Sequence, residues 1–173
     1  MKAKWSVLVV YEDKDARQLA VQFCDSLVQR FWAEFGFELS WHDWRELEDA
    51  AMAEAAGKKA CEADLLIVAP SGRNIMQRHV KDWLELTLKQ RGDREGVLVG
   101  LPGVDETSAI SAATQVYLRK LAHESGMDYL TAVPESLMAN VPESADAYTQ
   151  RATQVTSVLD SILRYSPAPP PAP

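Results

Sequence analysis

The sequence has only two cysteines, Cys24 and Cys61, and they show no metal-binding or redox spacing. Both fall in segments of helical pattern, so we expect reduced thiols in the core of a cytoplasmic protein. No apolar run approaches the roughly 18 residues that a membrane-spanning helix needs. The first apolar run ends in Glu12, Asp13 and Asp15 without a small-residue cleavage site, which favours a strand over a signal peptide. We therefore expect no membrane partner.

Positive charge is also scarce, with 18 Lys and Arg against 25 Asp and Glu and a formal net charge of −7. Nucleic acids attract basic surfaces, so we expect no nucleic-acid partner. The hydrophobic share of 47% and the charged share of 25% are typical of a globular protein. A chain of 173 residues corresponds to one domain. We place that domain at residues 1–165 and expect the proline-rich residues 166–173 to form an extended, disordered tail.

Short apolar segments alternate with helical patterns along the chain. Residues 64–70 (DLLIVAP) and 5–11 (WSVLVVY) are apolar on both faces, which predicts two strands buried between layers of helix. Further strands are predicted at residues 37–41, as an edge strand, and at 97–101 and 127–133. Helices are predicted after Asp13, over 48–62, from Ser71 to about Gln90, over 109–125 and over 145–165. This alternation predicts an α/β three-layer doubly wound sandwich, with a five-stranded parallel sheet in the flavodoxin-like order 2-1-3-4-5.

Ligands of such folds bind where the central strands end. The candidate crevice lies at residues 11–15 and 70–74, and its candidate contact residues are Tyr11, Glu12, Asp13, Asp15, Ser71, Gly72 and Arg73. The three acids could hold magnesium, but acids are also favourable at a helix N-terminus, and we expect that capping role and no metal site. They would repel a flavin phosphate, so FMN is not expected.

The second half of this crevice has two interpretations. Gly72 would let the backbone approach a ligand phosphate, and Arg73 would supply a guanidinium to bind it. Ser71 lacks the sequence context of a nucleophile. We expect Ser71 to cap the following helix instead.

Two stretches carry a resemblance to a known family. Residues 5–31 (WSVLVVYEDKDARQLAVQFCDSLVQRF), and ADLLIVAPSG followed by Trp83, Glu85 and Leu86, are similar to TIR and SEFIR-type domains. The resemblance covers roughly residues 4–101 and implies a signalling or protein-interaction module. TIR-like NAD glycohydrolases use a glutamate on the helix after the central strand, so the resemblance implies Glu85 as the catalytic residue and NAD as the ligand.

Two departures from the TIR pattern affect that role. Residues 46–50 replace the usual Pro-Gly loop, and the spacing from Trp83 to Glu85 is shorter than in the family. Glu85 also lies four residues from Lys81 and from Lys89, as in ordinary ion pairs on a helix surface. We therefore expect a module without robust catalysis, with an NAD glycohydrolase as the alternative.

The segment VLVVYEDKDAR also resembles the first strand of response-regulator receivers, whose paired acids hold magnesium. Receivers need an aspartate at the end of the third strand, where this chain has Ala69 and Pro70. They keep a lysine at the end of the fifth strand, where this chain has Ala132 and Val133. A receiver-like domain that cannot be phosphorylated is therefore the second alternative.

Six residues are candidates for an interface: Trp41, Trp44, Glu48, Asp49, Arg78 and Lys81. The two tryptophans flank a predicted loop and fit either an interface anchor or the core. The acids surround the second strand, whereas the bases lie on the helix after the central strand. We expect these charges on different surfaces, which permits a head-to-tail homo-oligomer, and the TIR resemblance implies the same kind of assembly.

Overall fold

The computed structural model describes residues 3–103 and 108–131. Its sheet contains β1 (Ala3–Tyr11), β2 (Phe35–Asp43), β3 (Leu65–Ala69), β4 (Val97–Gly100) and β5 (Asp128–Thr131). All neighbouring strands are parallel, and their order is β2-β1-β3-β4-β5. The structure thus confirms the predicted α/β fold and the flavodoxin-like strand order. This order brings β1 and β3 together at the point where the chain changes direction across the sheet.

Four α-helices and one 3₁₀ helix cover the sheet within the described residues: α1 (Lys14–Phe31), the 3₁₀ helix Trp44–Glu48, α2 (Ala50–Glu62), α3 (Arg78–Arg91) and α4 (Ala109–Glu124). Side chains of α1 pack on one face of the sheet, against Val7, Val9 and Ile67. Side chains of α2, α3 and α4 pack on the other face, which includes Leu8 and Leu66. The helix predicted at 145–165 and the tail at 166–173 lie outside the described residues.

The central strands form because each contains an unbroken apolar run, all of β3 and Val7–Val10 of β1. All five residues of β3 are buried, and so are Val7 to Val10 of β1. Successive side chains of a strand point to opposite faces, so this continuous apolar pattern supplies both halves of the core. Within the described part of the chain, no helix is both long and apolar enough to cross a membrane.

Two local predictions differ from the structure. The strand predicted at 37–41 extends from Phe35 to Asp43, and the predicted aromatic loop is the end of β2 followed by the 3₁₀ helix. The predicted helix after Ser71 begins only at Arg78, with Gln77 as its N-cap. Ser71 caps no helix, because its hydroxyl accepts a hydrogen bond from the Arg73 N–H at 3.1 Å and the chain then turns at Gly72, which has φ 80°. The capping role predicted for Ser71 is therefore wrong.

Candidate functional site

The carboxylate of Glu12 occupies the edge of the sheet where β1 and β3 end. The Glu12 N–H donates to the Ala69 carbonyl at 2.9 Å, which extends the β1–β3 pairing by one bond. The side chain then reaches the loop after β3, where Oε1 accepts from the Ser71 N–H at 2.9 Å. Its Oε2 accepts from Asn74 Nδ2 at 3.0 Å. Both carboxylate oxygens of Glu12 therefore have donors from the opposite side of the predicted crevice.

The other two acids of this loop have different partners. Asp13 is the N-cap of α1, and its side chain accepts from the Ala16 N–H at 2.8 Å, which confirms the predicted capping role. Asp15 forms an ion pair with Arg73 at 3.2 Å, and both side chains are about half exposed. The described residues include no group of three or more His, Cys, Asp or Glu side chains that could hold a metal ion. Magnesium binding at this loop would need these carboxylates to exchange their present partners.

The loop after β3 is packed tightly between its neighbours. Ser71 is fully buried, and the Ser108 hydroxyl at the start of α4 donates to the Gly72 carbonyl at 3.0 Å. Gly103, after β4, approaches so closely that a Cβ there would lie 2.5 Å from the Ser71 carbonyl oxygen. Any side chain at position 103 would have to displace this backbone. The loops after β1, β3 and β4 thus close against one another.

The structure places Tyr11 beside Trp41 on the α1 face of the sheet. The Arg17 guanidinium lies 5.9 Å from the centre of the Tyr11 ring and 5.4 Å from that of Trp41. Cations at such distances from aromatic rings are attracted to them. Tyr11 and Trp41 are both partly buried by this arrangement. Tyr11 thus contributes an aromatic contact next to the crevice.

Glu85 lies on the exposed side of α3, where it contacts α4. The Tyr117 hydroxyl donates to Glu85 Oε1 at 2.8 Å, and the Lys81 ammonium lies 5.0 Å from the centre of the Tyr117 ring. Burial, together with the Glu85 hydrogen bond, raises the pKa of Tyr117. Glu85 lies about 10 Å along the helix from its first residue, at about 1.5 Å per residue. The structure therefore brings Glu85 together with Tyr117 and not with the crevice residues.

Two predictions about the interface residues are wrong. Trp44 is only 1% exposed and belongs to the core beneath α2 and α3, so it cannot anchor a partner. The acidic and basic segments are also neighbours, because His79 Nε2 on α3 lies 3.0 Å from the Trp44 carbonyl oxygen of the 3₁₀ helix. Crossovers of the same hand place α2 and α3 side by side on one face of the sheet. The two charged segments are therefore adjacent and not on separate surfaces, and head-to-tail association itself stays a prediction.

The remaining charged candidates have local roles. The Asp49 carboxylate caps α2 by accepting from the N–H groups of Ala51 and Met52 at 2.9 and 3.1 Å. Arg78 is exposed and 3.9 Å from Asp82 on the same helix. Glu48 is exposed at the end of the 3₁₀ helix. Exposed pairs of this kind contribute about 0–1 kcal/mol.

Asn74 lies in the stretch 70–74 in which the sequence places the crevice, but the sequence assigns it no role of its own. Its amide donates to Glu12, although nothing in the sequence distinguishes it from other polar loop residues. A signal was present in Ser71 and Gly72, because a serine followed by glycine after a buried strand is typical of a tight turn. The contact between Asn74 and Glu12 also requires β1 and β3 to be neighbours in the sheet, which the turn residues alone do not reveal.

We expect Glu12→Ala to lower the free energy of unfolding by about 1–3 kcal/mol, since the buried Ser71 N–H would lose its acceptor. Glu12→Gln keeps one acceptor oxygen and should cost less. Asp15→Ala is the matched control, because its ion pair with Arg73 is half exposed and should contribute less than about 1 kcal/mol. Urea denaturation measures all three variants. Equal stability of Glu12→Ala and Asp15→Ala would contradict the role given to Glu12.

No protein-family model matches this chain, and no curated protein matches it. Among solved structures, the chain is similar to one described as a short-chain flavodoxin associated with a non-canonical PDU bacterial microcompartment. The TM-score is 0.49 and the sequence identity 14%, over 95% of this chain and 99% of the other. A likeness at this level carries no information about function.

Proposed function

We propose that this chain is a protein-interaction module of the signalling type, without robust catalysis. The observation that supports it is the position of the Glu12 carboxylate at the strand ends. Doubly wound proteins that bind nucleotides leave backbone N–H groups free there for a ligand phosphate. In this chain the Ser71 N–H already donates to Glu12, at 2.9 Å. An internal carboxylate thus takes the position in which an anionic ligand would bind.

The charges around this position support the same proposal. A phosphate entering the crevice would meet the Glu12 carboxylate directly and the Asp15 carboxylate nearby. The guanidinium of Arg73, which could offset that repulsion, is paired with Asp15. We infer that neither NAD nor FMN is a resident cofactor. The receiver-like alternative leads to the same class of function, because β3 ends in Ala69 and supplies no phosphoacceptor.

We infer a cytoplasmic setting from the thiols. Cys24 and Cys61 are both free, and they lie on different helices. Burial raises the pKa of the Cys24 thiol to about 12, with a smaller contribution from the negative charge of Asp25. Such a thiol is protonated and unreactive at neutral pH. Two buried or half-buried thiols without a disulfide fit a reducing compartment.

An assay of nicotinamide release from NAD tests the absence of catalysis. We expect the purified protein to release no more nicotinamide than buffer does, because Glu85 is held at the α3–α4 contact. Glu85→Gln should give the same result, and so should Asp82→Asn, a matched control on the same helix. Release that disappears in Glu85→Gln and persists in Asp82→Asn would replace the proposal with the NAD glycohydrolase alternative.

A further inference from the structure

Within residues 3–103 and 108–131, the outer side of β2 is an edge of the sheet with no strand paired to it. β2 runs for nine residues and pairs over its whole length with β1, and no other strand in the described ranges pairs with it. The strand, FGFELSWHD, contains no proline, lysine or arginine, and none of its residues is fully buried. Natural proteins usually shorten such edges, charge them or interrupt them, since a free edge recruits another strand. Along the central part of this edge the only charged residue is Glu38, which is paired with Lys4 of β1, and no proline interrupts the strand.

An apolar row runs along one face of this edge. Phe35, Phe37 and Trp41 pack in part against the α1 core. Leu39 lies between them on the same face and is 37% exposed. Alternate residues of a strand share a face, so these four side chains form a continuous half-exposed strip. A second strand paired with β2 would place its own side chains beside this strip and satisfy the outward N–H and C=O groups.

We propose that β2 is a homodimerisation strand, which pairs antiparallel with β2 of a second copy around a two-fold axis through Leu39. This inference rests on the proposed interaction function and identifies its partner. An antiparallel contact between identical edges requires a two-fold axis perpendicular to the sheet. Opposite residues of the two strands then lie on the same face, so one residue must lie opposite its own copy. The product is a continuous ten-stranded sheet, five strands from each copy.

Length, packing and charge all place the axis at Leu39. Leu39 is the midpoint of Phe35–Asp43, so only this centre pairs every residue of the strand. It sets Leu39 against Leu39 and Phe37 against Trp41 of the second copy, and such apolar cross-strand pairs are favourable. An axis at Glu38 would set two carboxylates directly opposite each other. With the axis at Leu39, Glu38 lies opposite Ser40 and keeps its pair with Lys4, at 3.0 Å.

A charge introduced at the axis, in place of the neutral Leu39, provides the sharpest test. We expect sedimentation to show a dimer for the wild-type chain, at low salt and at 1 M salt alike, since the contact is not ionic. Leu39→Lys and Leu39→Glu should each raise the dimer dissociation constant at least tenfold, a change of about 1.4 kcal/mol. A mixture of the two variants should form a heterodimer, because opposite charges then meet at the axis.

Met52→Lys is the matched control, because Met52 is 41% exposed and lies on α2, which packs on the opposite face of the sheet from the strip. It should dimerise as the wild type does. A wild-type chain that stays monomeric at high concentration would overturn the proposal. So would unchanged dimerisation of Leu39→Lys, or failure of the mixture to form a heterodimer when both variants are folded.

Disulfide capture tests the register in a Cys61→Ser background, in which the remaining Cys24 is buried. Opposed residues of antiparallel strands have Cα atoms about 4.5–5.5 Å apart, within the range of a disulfide. Leu39→Cys should therefore form a covalent dimer on mild oxidation. Phe35→Cys should not, because its two copies would be about 26 Å apart at about 3.3 Å per residue. Capture of Phe35→Cys as efficient as that of Leu39→Cys would overturn the proposed axis.

The outcomes separate this inference from the proposed function. A monomeric chain that releases no nicotinamide would end the homodimer and leave an interaction module with a different partner. If the chain dimerises and also shows nicotinamide release that depends on Glu85, the β2 pairing stands and the proposal of a non-catalytic module is wrong.

Discussion

Arg91→Met is expected to lower the free energy of unfolding by about 3 kcal/mol or more, since hydrogen bonds from a charged group contribute about 1.5–3 kcal/mol each. The buried guanidinium donates through Nη1 to the carbonyls of Ala60 and Ala63 at 2.8 and 2.7 Å, and through Nη2 to that of Glu95. It thereby joins the C-terminal end of α2 to the loop after α3. Methionine fills part of the volume but removes the charged donor that these carbonyls share. Urea denaturation followed by circular dichroism measures the loss.

Arg94→Met is the matched control for this variant. Arg94 is an exposed arginine of the same loop, and it donates to one carbonyl, that of Glu62, at 3.1 Å. Its replacement should change stability by no more than about 0.5 kcal/mol. Arg91→Lys should fall between the two, because an ammonium cannot reach several carbonyls in a planar fork. Similar stabilities for Arg91→Met and Arg94→Met would contradict the structural role of Arg91.

Trp44→Ala is expected to lower the free energy of unfolding by about 3–5 kcal/mol, the usual cost of removing a buried aromatic side chain. Trp44 packs within the core that Leu47, Val80 and Leu84 share. Thermal or urea denaturation shows the loss directly. Trp32→Ala is the matched control, because Trp32 is 62% exposed and its removal should cost no more than about 0.5 kcal/mol. Unchanged stability of Trp44→Ala together with weaker self-association would restore the interface role that the sequence suggested.

The central sheet could be predicted from the sequence because its pattern is unambiguous. The residues of β3, LLIVA, are apolar without alternation, and because the run is short and is followed by Pro70 and Gly72, a strand covered on both faces suits it better than a helix. The end of β2 could not be predicted in the same way. The segment from Trp41 to Trp44 has two polar residues between two aromatic ones, a pattern that fits a strand or a loop equally. Pairing with β1, as far as Tyr11 opposite Asp43, extends the strand, and that pairing is a tertiary effect.

The start of α3 illustrates a second limit. Ile75 and Met76 continue the helical spacing of the residues after them, so the pattern favoured a helix directly after Ser71. In the structure Met76 is buried while Ile75 is exposed, as part of a loop. The chain turns at Gly72, with φ 80°, and α3 begins only at Arg78, after Ile75 and Met76. The spacing of hydrophobic residues does not show at which residue the helix begins after such a turn.

The candidate site was predictable in position but not in its contacts. In doubly wound folds the ligand crevice lies where neighbouring central strands end, and in this structure Glu12 and Ser71 meet at the ends of β1 and β3. The sequence could not assign different roles to Glu12, Asp13 and Asp15, since all three are acids within four positions. Their roles depend on which N–H groups face each carboxylate. The contact between Glu85 and Tyr117 could not be predicted either, because it joins two helices that are distant in sequence.

Amide NMR of Ser71 during a titration with NAD tests the central claim most directly, namely that the Glu12 carboxylate closes the crevice and the chain acts without catalysis. The account predicts that the Ser71 amide resonance stays unchanged up to millimolar NAD and that no free nicotinamide signal appears. In Glu12→Ala the same amide should exchange faster with solvent, because its acceptor is gone. A saturable shift of the wild-type Ser71 resonance, accompanied by growing nicotinamide signals, would contradict the account.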